Sequence, residues 1–142
     1  MVDFNFVTTR LATGGSIASR EDAQALIQAG ITHVIDCTAQ LDPTGTSLVV
    51  LYNPTDDDGQ PKPAEWFSRS LSFALGALYQ PHNKVYAHCA AGFNRGPSTA
   101  YAILRALGWS AEEAEAQIRK HRTVGLAYKK DADAAVIALG YA

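Results

Sequence analysis

Residues 84–108 read KVYAHCAAGFNRGPSTAYAILRALG. The stretch changes character twice. Lys84 to His88 is short, apolar and β-favouring, the composition of a buried strand. From Ala100 the residues Ala100, Tyr101, Ile103, Leu104 and Leu107 recur at helical spacing, and Gly108 supplies a stop. Pro97 suits the first turn of that helix. Between the two, Cys89–Gly96 forms a loop with glycines at 92 and 96. A strand that passes through a short glycine-containing loop into a helix is the building unit of a parallel α/β sheet.

The flanking sequence extends the same pattern. Phe4–Val7 and Arg10–Thr13 are short β-like stretches ending at Gly14-Gly15. Ser19 opens a helix, and Asp22 places a carboxylate at the positive end of its dipole. Ala23, Leu26, Ile27 and Ala29 give the apolar stripe, and Gly30 ends it. His33–Cys37 and Leu48–Tyr52 are β-branched runs of strand length. PTDDDGQPKP, from Pro54 to Pro63, is a polar loop. The helix after it, to about Tyr79, carries Trp66, Phe67, Leu71, Ala74, Leu75 and Leu78 at helical spacing. Ser110 to Glu113 spell a capping box for a helix ending near Arg122, and a last helix covers about Lys130 to Leu139. Strands alternating with helices predict a three-layer α/β fold, a mostly parallel central sheet flanked by helices. The length suits one domain, so residues 1–142 are expected to form a single one.

Composition narrows the function classes. Apolar residues make up 47% and charged residues 18% of the chain, a balance that builds an ordinary core. A net charge of −2 gives no general pull toward nucleic acid or anionic membrane, so any anion recognition has to be local. The two cysteines, Cys37 and Cys89, make neither a disulfide framework nor a CxxC zinc pair. MVDFNFVTTRLATGG lacks the basic start and apolar run of a signal peptide, and no stretch approaches the roughly 20 apolar residues that span a bilayer. The expectation is a cytoplasmic monomer with reduced thiols.

His88-Cys89-Ala90-Ala91-Gly92-Phe93-Asn94-Arg95 carries the chemistry. Backbone N–H groups at a helix N-terminus can converge on a tetrahedral anion. Gly92 removes the Cβ penalty where the loop turns tightly, and Arg95 offers a planar fork for phosphate oxygens. The same positive field is expected to hold Cys89 as a thiolate, placed to attack a bound phosphorus in line. A buried structural cysteine beside an unrelated arginine is the plain alternative. From residue frequencies, HCxxGxxR arises by chance in a chain this long on the order of once in 10⁴.

HCAAGFNR resembles the Cys-x₅-Arg signature loop of the protein tyrosine phosphatase superfamily, and the rest of the chain is similar to its small dual-specificity branch. The similarity runs from Leu11 to Gly108, through LATGGSIASREDAQALIQAGITHVIDC, YNPTDDDGQPKPAEWF and PSTAYAILRALGW. The resemblance implies that Cys89 is the nucleophile, that Arg95 and the backbone of Ala90, Ala91, Gly92, Phe93, Asn94 and Arg95 bind the phosphoryl oxygens, and that His88 braces the loop.

The reaction also needs an acid on a partly solvated loop opposite the cysteine. Asp56-Asp57-Asp58 is the candidate triplet. The family's order, a proline, two residues, the acid and then an aromatic pair, matches Pro54 and Trp66-Phe67 and selects Asp57, with Asp56 and Asp58 one register away. A solvated turn is the ordinary reading of such a string. An EF-hand is excluded because Pro54 stands at the first ligand position. The remaining histidines, His33, His82 and His121, read as surface or packing residues.

Two departures from the family pattern stand out. Gly96 follows Arg95 where the family usually carries a Ser or Thr hydroxyl that helps the thiolate leave, so Ser98 or Asn94 is the candidate substitute. KHRTVGLAYKK lacks the family's usual Arg-Pro pair. Cys37 reads as a core filler, or, by resemblance to the phosphoinositide-phosphatase branch, as a redox partner for Cys89. The expected activity is phosphomonoester hydrolysis through a phosphocysteine intermediate, with a phosphorylated protein or peptide as substrate and phosphotyrosine favoured. No metal or organic cofactor, nucleic acid or membrane partner is expected. A phosphoinositide or inositol-phosphate phosphatase is a second reading, disfavoured by the uncharged Ala90, Ala91, Phe93 and Asn94. A phosphate-binding module without turnover is a third.

Overall fold

The computed structural model describes residues 1–142. The strands are β1 (Phe4–Phe6), β2 (Leu11–Gly14), β3 (His33–Asp36), β4 (Val49–Tyr52) and β5 (Val85–His88). The helices are α1 (Arg20–Gln28), α2 (Ala64–Leu78), α3 (Arg95–Ala106), α4 (Ala111–His121) and α5 (Lys129–Ala138). They form one sheet in the order β1-β2-β5-β3-β4. Only β1 runs antiparallel, pairing with β2, and every other neighbour pair is parallel. The mostly parallel sheet read from the sequence is present, with β5 at its centre.

Strand alternation explains the two faces. Ala12, Val34 and Tyr86 point to one side, where they pack with Ala23 and Leu26 of α1. Leu11, Ile35, Val85 and Ala87 point to the other, against α2, α3, α4 and α5. Both faces are covered, as a parallel sheet requires. Parity puts Asp36 and His88 on the α1 side, and Cys37 and Cys89 on the larger core side.

Helix ends follow the sequence signals. Ser19 accepts from Asp22 N, and Ser110 and Glu113 close a reciprocal capping box. Gly30 and Gly108 take positive φ angles of 97° and 102° just past α1 and α3. The strands differ from the sequence reading by single residues at their ends, and α3 begins at Arg95 rather than near Pro97. Pro97 still sits in the first turn, where a missing N–H leaves no helical bond unmade. That shift places Arg95 on the helix itself. No helix is long and apolar enough to cross a membrane.

Candidate active site

The loop from Cys89 to Asn94 leaves the central strand and enters α3, and its peptide groups are sorted by direction. Each carbonyl is bound on the outside. Cys89 O lies 3.2 Å from His88 Nδ1, and Ala90 O accepts from Ser16 N at 3.1 Å. Ala91 O and Gly92 O accept from Arg122 Nη2 and Nε at 3.2 and 2.8 Å. Phe93 O accepts from Gly125 N and Leu126 N, and Asn94 O from Ser98 N. None of the amide N–H groups from Ala90 to Arg95 has an acceptor in the protein. Within each planar peptide the N–H opposes the C=O. Tying the carbonyls outward therefore turns a row of donors inward, which is an anion-binding cradle.

Gly92 makes the turn possible. Its φ is 68°, and a Cβ there would overlap the backbone of Gly14. Gly14 lies against the loop from β2, where its carbonyl accepts from Cys89 N at 3.2 Å. Cys89 is 2% exposed beneath this cradle. The loop, Cys89 and the α3 terminus thus lie together.

Arg95 is held at one end only. Its Nη1 donates to Thr55 O at 2.9 Å and reaches Cys37 O at 3.5 Å. Its buried Nε has no partner in the protein. An unpaired guanidinium N–H inside a polar cleft is costly unless a ligand accepts from it, so the arrangement suits an oxyanion. The cleft beside it, about 380 Å³, is lined by Ala39, Pro54, Thr55, Asp56 and Arg95.

The three aspartates part company. Asp57 accepts from Tyr128 Oη at 2.8 Å, and Asn94 Nδ2 lies 3.4 Å from both of its oxygens. Asp58 instead pairs with Lys62 Nζ at 3.0 Å and accepts from Gln60 N, and these contacts hold its pKa below the usual carboxylate range. Lys62 also caps Asp56 O. Asp57 is the member of the triplet joined to the cysteine loop. Tyr128, which no sequence motif marks, also accepts from Gly59 N and so ties the acidic loop to the start of α5.

Behind the loop, His88 is buried with Tyr86 stacked on it at 5.4 Å. Its Nε2 lies 3.1 Å from Asp42 Oδ1 and 3.8 Å from Asp36 Oδ2. Burial pulls its pKa down, but the Asp42 hydrogen bond and charge, the Asp36 charge and the Cys89 carbonyl together raise it above the ordinary histidine value. Arg122, read only as part of a terminal string, grips Asp3 and Asn5 besides the two loop carbonyls.

Ser98 is fully buried, and its hydroxyl accepts from Tyr128 N at 3.3 Å. A Cβ on Gly96 would stand 3.0 Å from Ala87 O and 3.1 Å from Cys89 N, so glycine here lets α3 press on the end of β5. Cys37 N donates to His88 O at 2.9 Å, which sets Cys37 beside Cys89 across the sheet. Burial, with the Cys89 and Asp36 charges adding, pushes the Cys37 thiol up to about 12 despite its contact with Thr99.

A family model for the catalytic domain of dual specificity phosphatases matches residues 15–128. Solved structures share the fold. A mouse protein described as a dual specificity phosphatase, complexed with zinc tungstate, superposes with a TM-score of 0.83 at 19% identity, over 97% of this chain and 91% of that one. A single-residue variant of human DUSP28 gives 0.81 at 19% identity, covering 96% of each chain. PTPMT1 in complex with PI(5)P gives 0.75 at 18% identity, over 96% of this chain and 98% of its own. No curated protein sequence matches the chain.

Proposed function

The chain belongs to the dual specificity phosphatase family, and on that premise we propose that it hydrolyses phosphorylated proteins through a phosphocysteine formed on Cys89. The observation that carries this reading is the row of unpartnered amide N–H groups from Ala90 to Arg95 above the buried Cys89 thiol. They are set to bind the three non-bridging phosphoryl oxygens, and Arg95 Nε adds a charged donor.

In the first step the Cys89 thiolate attacks phosphorus, an S–P bond forms, and the ester P–O bond breaks. Asp57 delivers its proton to the departing oxygen. In the second, water attacks phosphorus and gives a proton to the Asp57 carboxylate. The S–P bond then breaks to release phosphate and restore the thiolate. His88 and Ser98 support the loop from below, and Cys37 is a candidate redox partner for Cys89. None of these steps calls on a metal or an organic cofactor.

Phe93, 47% exposed on the loop, offers an apolar wall to an aromatic leaving group, which supports phosphotyrosine. The loop has no Lys or Arg between Cys89 and Arg95 to meet the further phosphates of an inositol ring. Residues 1–142 act as one domain, a cytoplasmic monomer with both thiols free.

Cys89→Ser tests the assignment. A serine hydroxyl stays protonated in this field, so turnover of para-nitrophenyl phosphate is expected to vanish while vanadate still binds. Residual turnover above about one percent would place the chemistry elsewhere.

A further inference from the structure

A buried charge cluster stands directly behind the loop. His88 is 1% exposed, Asp42 6% and Asp36 fully buried. Both ring nitrogens of His88 face acceptors only: Nδ1 faces Cys89 O at 3.2 Å, and Nε2 faces Asp42 Oδ1 and Oδ2 at 3.1 and 3.3 Å. A carbonyl oxygen cannot donate, and an ionised carboxylate cannot either. Beside an ionised Asp42, a neutral imidazole would leave one of these two contacts without a proton, and both are then satisfied together only by the imidazolium.

We propose that Asp42 is a positioning residue for the phosphatase reaction, holding His88 as an imidazolium whose other N–H pins the Cys89 carbonyl outward and so aims the Ala90 N–H at the substrate phosphate. The link is the peptide plane: Cys89 C=O and Ala90 N–H belong to one rigid unit, so fixing the first directs the second. A charged donor grips a carbonyl about twice as strongly as a neutral one. The proposal rests on the phosphocysteine reading for its effect on rate, but not for the state of the ring.

The groups facing the ring agree with this. Asp42 comes from the segment after β3, Asp36 from β3 itself, the Tyr86 ring from the histidine's own strand and the Cys89 carbonyl from the loop that follows it. β2 and α3 set Gly14 and Gly96 beside the ring, and the Ser16 hydroxyl also reaches the Cys89 carbonyl at 3.5 Å. Asp36 Oδ1 is taken by Thr38 N and Oγ1, both at 2.7 Å, while Asp36 Oδ2 has no hydrogen-bond partner and lies 3.8 Å from His88 Nε2. Burial raises the Asp36 pKa and the His88 charge opposes that rise, so Asp36 adds its charge to the ring's surroundings only at longer range. The folded-state pKa of His88 lies above the ordinary value. The proton therefore stabilises the fold fully below the unfolded histidine value, and that stabilisation is lost as pH rises through the folded one.

Nitrogen-15 NMR of the wild-type protein decides the ring's state without any variant. Both His88 nitrogens should report protons at pH 7, with deprotonation only at higher pH than for an exposed histidine. A neutral His88 at pH 7, or one whose Nε2 proton is replaced by a metal ion, overturns the proposal. Asp42→Asn keeps a hydrogen-bonding group of the same shape but removes the charge, and burial then pulls the His88 pKa down. The variant should lose about five- to tenfold in kcat/KM at pH 7.5, with most of that loss recovered at pH 5.5 relative to wild type at the same pH. An activity ratio that does not change with pH would show a merely structural role and overturn the proposal. Loss of the Cys89→Ser effect would overturn the phosphocysteine reading instead and leave the NMR result standing.

Discussion

Replacing Arg122 with methionine keeps the aliphatic stem and removes the guanidinium that holds two loop carbonyls. The side chain is 7% exposed, and its bonds to Gly92 O at 2.8 Å and Ala91 O at 3.2 Å are charge-assisted. Hydrogen bonds to charged groups contribute about 1.5–3 kcal/mol each. Ala91 is exposed and recovers water when its bond is lost, so the two together amount to about 2–3 kcal/mol. The ion pair with Asp3 adds little, because that carboxylate is 74% exposed. For a chain of this length, about 2–3 kcal/mol corresponds to a fall in Tm of about 8 °C. The loop should also lose its hold on oxyanions, because the Gly92 and Phe93 N–H groups are no longer aimed by their carbonyl partners. A tenfold rise in the vanadate inhibition constant is the expected size, equivalent to about 1.4 kcal/mol. The assays are denaturant unfolding and competitive inhibition by vanadate. If unfolding free energy stays within about 0.5 kcal/mol of wild type, the clamp is not holding the loop. If stability falls but vanadate binds as before, the argument that outward carbonyls organise inward donors is wrong.

Two further outcomes follow from the same geometry. Asp57→Asn should lower kcat by roughly 10²–10⁴ on an alkyl phosphate and by much less on an aryl phosphate whose leaving group needs no proton; if Asp56→Asn or Asp58→Asn shows that dependence instead, the acid is misassigned. With the Cys37 thiol near 12, peroxide-treated enzyme should form a Cys37–Cys89 crosslink slowly at neutral pH, about tenfold faster for each pH unit gained. Peptide mapping that finds no crosslink, or one whose rate ignores pH, refutes the pairing or its control by burial.

Local signals were legible and returning ones were not. Ser19, Gly30, Ser110 and Gly108 mark helix ends through neighbours a few residues away, and the structure places them so. Cys89, Gly92 and Arg95 share one loop, so their cooperation could be read along the chain. Asp57 was legible only by register, because its link to the loop runs through Asn94 and Tyr128, on segments far from it in sequence. Arg122 and Asp42 were missed for the same reason: one reaches the loop from the end of α4, the other from the segment between β3 and β4. A partial signal existed in Asp36, a carboxylate closing an otherwise apolar strand, which demands a buried partner. Pro97 does not fix the helix start at Arg95, because proline is as acceptable inside the first turn as at its beginning.

The central claim is a covalent bond from phosphorus to the Cys89 sulfur. Asp57→Asn should slow its hydrolysis more than its formation from para-nitrophenyl phosphate, because the nitrophenolate leaves without a proton. Rapid denaturing quench of that variant with substrate, followed by peptide mass spectrometry, should find the mass of one phosphoryl group on the peptide carrying Cys89, and none when Cys89 is also replaced by serine. A phosphoryl group on any other residue, or turnover by the doubly substituted protein equal to that of Asp57→Asn alone, would contradict the account.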